Sequence, residues 1–217
     1  MSGSTQLRGA HRIRELARRI YELQSFPWFD DLILNLKKSS LSGGVFEADV
    51  AARMMSMPGS TALRPAVVGL SQNYDIGYEL GELKLAVEVK TKDEDKPFNV
   101  KSVLNTIKQA SEQLPGGDIP GVLFIRIPGA WVGPGFDDAY NDVLMRATGH
   151  GHSATSRIAV IFTAIDKVHL SGRKGGVTRV FDHFKSVHCT DEVWRWARFL
   201  KALLDADLHQ LGPRAHF

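Results

Sequence analysis

The stretch "YDIGYELGELKLAVEVK", residues 74–90, carries two strand-like runs on either side of a Gly81-Glu82 turn. Side chains alternate along a strand, so Val87 and Val89 point one way and Glu88 and Lys90 the other. A strand that is otherwise apolar then ends in two charges on one face, and something has to compensate them. A hairpin closed at Gly81-Glu82 pairs residues whose numbers sum to about 163. That register sets Asp75 opposite or diagonal to Glu88, within reach of one shared ion.

Working outward, the period is helical before this hairpin and mixed after it. Residues 5–23 place Leu7, Ile13, Leu16, Ala17, Ile20 and Leu23 at helical spacing, with Arg8, Arg12, Arg14, Arg18 and Arg19 expected over the remaining surface. "FPWFDDLILNLKK" predicts a second helix that opens after Pro27. "SSLSGG" reads as a loop, and "VFEADVAARMMSMPG" as a helix ended by Pro58 and Gly59. "PAVVGLS" is a candidate strand ahead of the hairpin. After the hairpin, "KDEDKP" reads as a solvated loop and "FNVKSVLNTIKQASEQL" as an amphipathic helix. "GVLFIRI" and "RIAVIFTAI" read as buried strands with a helix over 137–147 between them. A hairpin "VHLSGRKGGVTRVFDHF" and a last helix capped by Thr190 close the chain.

The order helix, strand, strand, strand, helix, strand resembles the core of the PD-(D/E)-x-K nuclease superfamily, which includes restriction endonucleases. Asp75 stands on one strand of that core and Glu88-x-Lys90 on the next. The resemblance covers about residues 45–127. It implies an α/β, restriction-endonuclease-like fold: a mixed β-sheet core flanked by helices. Outside the core lie an N-terminal helical extension over about 5–38 and a C-terminal hairpin and helix, within one domain over 1–217. Asn73-Tyr74 stand where the family name has Pro, a variable position in the superfamily.

Phosphodiester hydrolysis requires a hard divalent cation to offset phosphate charge, and Mg²⁺ favours oxygen ligands. The resemblance implies that Asp75 and Glu88 ligate Mg²⁺ (or Mn²⁺), joined by the main-chain carbonyl of Val89. Lys90, expected to be protonated beside two carboxylates, would orient the attacking water and stabilise developing charge. Glu47, on the preceding helix, is the further carboxylate that reaches the ion in many members, with Asp49 as a weaker rival. Gln109 and Gln113, four apart on the following helix, resemble the Gln-x-x-x-Tyr motif of RecB-like nucleases. Gln113 departs from that motif, so only Gln109 is carried over as a residue near the site.

The expected function is therefore a metal-dependent endonuclease hydrolysing DNA, with double-stranded DNA as the partner. The alternatives are a nuclease acting on RNA and a non-catalytic nucleic-acid-binding or assembly module on the same fold. A formal net charge of +3 is compatible with a polyanionic partner without requiring one. Arg8, Arg12 and Arg19, with Arg173 and Lys174 of "GRKGG", are the candidate phosphate contacts. Cutting both strands with one site per chain favours a homodimer. One cysteine, Cys189, and no apolar run near the length of a membrane span point to a cytoplasmic protein with no membrane partner. His150 and His152 of "HGH", with His183, His188 and Cys189, match no zinc-ligand spacing. Neither "GPGFDD" nor "SGRKGG" has the strand–loop–helix context of a nucleotide-binding loop. Trp131, Trp194 and Trp196 read as packing residues.

Overall fold

The computed structural model describes residues 3–65, 74–92, 94–149, 157–171 and 174–210. Among them run α1 (Gly3–Leu23), α2 (Phe29–Leu36), α3 (Leu41–Met55), β1 (Ser60–Pro65), β2 (Ile76–Leu80) and β3 (Leu83–Thr91). There follow α4 (Val100–Gln113), β4 (Gly121–Ile127), α5 (Phe136–Ala147), β5 (Ile158–Ser171), β6 (Lys174–Lys185) and α6 (Asp191–Gln210). The strands form one six-stranded mixed sheet in the order β1-β2-β3-β4-β5-β6. The meander β1-β2-β3 is antiparallel, β4 and β5 add in parallel to β3, and β6 folds back antiparallel on β5.

Helices cover both faces, which is why central β4 reads as an unbroken apolar run: all seven of its residues are buried. On one face Phe124 and Phe162 meet Phe46, Val50 and Met54 of α3 and Trp196 and Leu200 of α6. On the other, Leu123, Ile125 and Ile161 meet Val103 and Ile107 of α4 and Val143 and Leu144 of α5. Gly121, where β4 begins, leaves no room for a side chain: a Cβ there would stand 2.3 Å from the Arg157 carbonyl oxygen.

Three sequence expectations change. Helix α3 starts at Leu41, inside the expected loop, because Ser40 caps it by accepting a hydrogen bond from the Gly43 N–H at 3.1 Å. The first strand is Ser60–Pro65, earlier than "PAVVGLS", of which residues 66–71 lie outside the described residues. Its Leu63 pairs with Tyr78, and the Tyr78 hydroxyl meets Ser60 Oγ at 2.6 Å.

The third change concerns α1. Ile13 is 61% exposed and Ala17 is exposed, whereas Arg19 is buried. The helix docks through Arg12, Glu15, Arg19 and Leu23, spaced three, four and four apart, so its inner face is largely charged. Beneath it, Arg179 of β6 donates to Glu15 Oε1 at 2.5 Å, to Asp49 Oδ2 at 2.7 Å and to Asp166 Oδ1 at 2.7 Å. Arg19 and Arg53 both donate to Asp49 as well. The apolar spacing of α1 misleads because oppositely charged partners wait on α3, on β6 and in the loop after β3. No helix among the described residues is long and apolar enough to cross a membrane.

Candidate active site

The β2–β3 turn sets the geometry. Gly81 has φ 60°, a left-handed value that suits the two-residue loop joining Leu80 to its partner Leu83. The ladder then runs back to Ile76↔Val87, so the next position beyond β2, Asp75, falls beside Glu88. Asp75 lies in a bend just before the strand and not on it. Its Oδ2 accepts the Val89 main-chain N–H at 2.8 Å. Val89 thus meets Asp75 through its amide, a bond that does not involve the carbonyl implied as a ligand by the resemblance.

Glu88 is fully buried, with 0% exposure. One of its oxygens accepts from Lys90 Nζ, two residues on along the same face of the strand. The other, Oε2, is buried without a hydrogen-bond partner of good geometry. Glu47 enters from α3 and is 7% exposed. Glu47 and Asp49, two apart on the helix, diverge by about 200°. Glu47 therefore turns to the hairpin while Asp49 turns to the arginines. Asp49, the rival ligand, is committed elsewhere: burial opposes its charge, but Arg53, Arg179 and Arg19 hold its carboxyl well below the usual range.

Three carboxyls around one lysine leave the cluster electrically unbalanced. Burial, then the charges of Asp75 and Glu88, push Glu47 up to about 8, against the pull of Lys90. Burial and the Asp75 charge push Glu88 up to about 7. Burial also raises Asp75, offset by the Val89 N–H and Lys90. Such a set holds protons near neutral pH, and a bound divalent cation would have to displace them.

The donor chemistry fits a hard divalent ion, because Asp75, Glu88 and Glu47 offer oxygen donors only. Among the described residues, no three His, Cys, Asp or Glu side chains already converge as ligands. Asp75 is turned to Val89 and Glu88 to Lys90, so taking up an ion requires side-chain rotation.

The remaining predicted residues separate. Gln109 is exposed on α4 and lines a neighbouring cleft. Arg19 is no phosphate contact: it is buried and bonded to Asp49 and Glu22. Arg12 is half-buried and paired with Glu94, in the loop after β3. Both arginines stand on the inner face of α1, where carboxylates hold them. Arg173 lies outside the described residues, as do His150 and His152 and the side chains of Arg8 and Lys174. His183 stacks on Trp194 with ring centres 4.7 Å apart, and Cys189 is buried. Trp131 is 8% exposed and donates from Nε1 to the Lys96 carbonyl oxygen at 2.6 Å, so all three serve packing.

No family model, no curated protein and no solved structure matches the chain. The site has to be read from its own residues.

Proposed function

We propose that the chain is a metal-dependent phosphodiesterase, an endonuclease hydrolysing DNA on a restriction-endonuclease-like core. The observation that carries this reading is the buried Glu88, crowded beside Asp75, Glu47 and Lys90 at the end of one hairpin. A purely structural ion pair needs one carboxylate for one lysine. Here three carboxyls crowd a single cation at a cost in desolvation that folding alone does not require. The element order on which the resemblance rests, helix, three strands, helix and strand, also supports the reading, in α3, β1-β2-β3, α4 and β4.

Bound Mg²⁺ or Mn²⁺ would supply Lewis-acid stabilisation of charge on the scissile phosphate. Asp75 and Glu88 would hold it, with Glu47 as the third oxygen donor. Hydrolysis forms one bond from a water oxygen to phosphorus and breaks one ester P–O bond; the departing oxygen takes up a proton. Lys90, the cation of the cluster, orients that water and offsets negative charge that grows on the phosphate.

The competing reading is a binding module that keeps the fold without turnover, and it draws on the closed Glu88–Lys90 pair. Cleavage of plasmid, single-stranded and RNA substrates in Mg²⁺ or Mn²⁺ separates the two, and thermal melting with the same ions tests the ligands. The hydrolase reading expects the melting temperature to rise by mass action, and Asp75→Asn and Glu88→Gln each to remove most of the rise. An equal rise in both variants and the parent would sink the assigned ligands.

A further inference from the structure

Beside the carboxylate hairpin lies a cleft of about 700 Å³ between the loop that follows β3 and the outer side of α4. It begins at Thr91, the residue after Lys90, and runs past Lys92 and Lys96 to Lys101, Asn105 and Gln109 on the helix. Three lysines line it, and no Asp or Glu stands among the described lining residues. Glu94 and Asp95 stand in the same loop between Lys92 and Lys96, and Glu94 pairs with Arg12 of α1.

The walls are tied down. Lys92 Nζ donates to Ser102 Oγ and to Thr106 Oγ1, both at 2.9 Å, bridging loop and helix. Trp131 holds the Lys96 carbonyl, Phe98 packs against Trp131 and Phe136, and Arg12 of α1 pairs with Glu94 in the same loop. A loop fastened at these points presents its lysines with less ordering entropy to lose on binding. The remaining polar lining is hydroxyl and carboxamide, the groups that contact phosphate oxygens without reading sequence. Trp131, the one aromatic ring in the lining, faces inward at 8% exposure and leaves no platform for base stacking.

We infer that this cleft is a track for the phosphodiester backbone of a DNA strand, held independently of sequence by Lys92, Lys96, Lys101, Asn105 and Gln109. The inference rests on the hydrolase reading for its substrate: the strand continues past the scissile phosphate at Lys90 into the cleft. Contact is with phosphates, and specificity for bases lies elsewhere.

The test is binding of a short fluorescein-labelled DNA duplex, followed by anisotropy in EDTA over a range of salt, where no cleavage intervenes. The full-length parent is compared with Lys96→Gln/Lys101→Gln, with Asn105→Glu, and with a control Lys37→Gln/Lys84→Gln at exposed positions outside the cleft. Melting temperatures establish that each variant is folded. The expected result is a loss of affinity of tenfold or more in both cleft variants at low salt and none in the control. The slope of log affinity against log salt should flatten by about 0.9 for each lysine removed. Equal affinity and slope in cleft variants and parent, or a parent that does not bind the duplex, overturns the inference. So does a lysine dependence that appears with labelled heparin and not with DNA. Cleavage in Mg²⁺ or Mn²⁺ is scored separately. A parent that binds through the cleft but never cuts refutes the hydrolase reading and leaves the track. A parent that cuts while its cleft variants bind unchanged refutes the track alone.

Discussion

Glu88 and Glu47 carry protons at pH values where exposed carboxylates have long lost theirs, and that has a measurable sign. In buffer free of divalent ions, the unfolded groups ionise near their ordinary value of 4.5, the folded ones near 7 for Glu88 and 8 for Glu47. Between those limits the folded state binds more protons than the unfolded, so stability falls as pH rises. Each group contributes at most about 1.4 kcal/mol per pH unit. Asp49 and Asp166 have the opposite shift, held low by arginines despite burial; their stabilisation is lost only in acid, as pH falls through and below the ordinary value of 3.8. The two windows do not overlap. Glu47→Gln should therefore flatten the decline between about pH 4.5 and 8 while leaving acid unfolding in place, as urea titrations across pH would show. A parent whose stability is level over that range would contradict the crowding of carboxyls. Metal affinity should rise over the same range, because the ion displaces those protons.

At the scale of elements, the site depends on one turn. Gly81→Ala forces a side chain into a left-handed conformation and should cost about 1–2 kcal/mol in a urea melt. Because that turn fixes which residue faces Glu88, the variant should also weaken metal binding more than its stability loss explains. The β2–β3 hairpin was legible in the sequence: alternation and a Gly-bearing turn prescribe the register that brings Asp75 to Glu88. Strand β4 and helix α4 were legible for similar reasons, a continuous apolar run and a clean helical stripe. Helix α1 was legible as a helix, but its inner face was not. Ile13 and Ala17 face outward and Arg12, Glu15 and Arg19 face inward, because the partners Asp49 and Arg179 lie 30 or more residues away and no local pattern announces them. The mixture of Glu15 and Glu22 among the arginines at spacings of three and four was the available signal. Likewise "KDEDKP" reads as a solvated loop, yet Lys92 spans to α4 and Glu94 binds Arg12. Side chains that find partners across the fold look like surface when only their neighbours are visible.

For the whole molecule, the sheet is closed against α1 by a buried ionic hub, with Arg179 bridging carboxylates from α1, α3 and β5. Arg179→Met removes the cation shared by three buried acids, of which Asp49 keeps Arg19 and Arg53 and Asp166 keeps Arg126, and it should destabilise the protein by about 3 kcal/mol in denaturant melts. A loss below about 1 kcal/mol would show that α1 docks by other means. The hub lies on the side of α3 away from Glu47, which lets the fold bury one set of charges in full balance and keep another set short of cations. That imbalance is the basis of the proposed activity. Lys90 tests it most directly, since removing its ammonium leaves the proposed carboxylate ligands in the chain while taking away the group proposed to serve the water. The measurement is cleavage of supercoiled plasmid DNA in Mg²⁺ or Mn²⁺ by the parent and by Lys90→Ala, with DNA affinity and melting temperature taken on the same preparations. The expected result is cutting by the parent and a loss of about 100-fold or more in the variant, with DNA binding retained. Cutting by Lys90→Ala at the parent's rate, or a parent that binds DNA and cuts with neither ion, would contradict it.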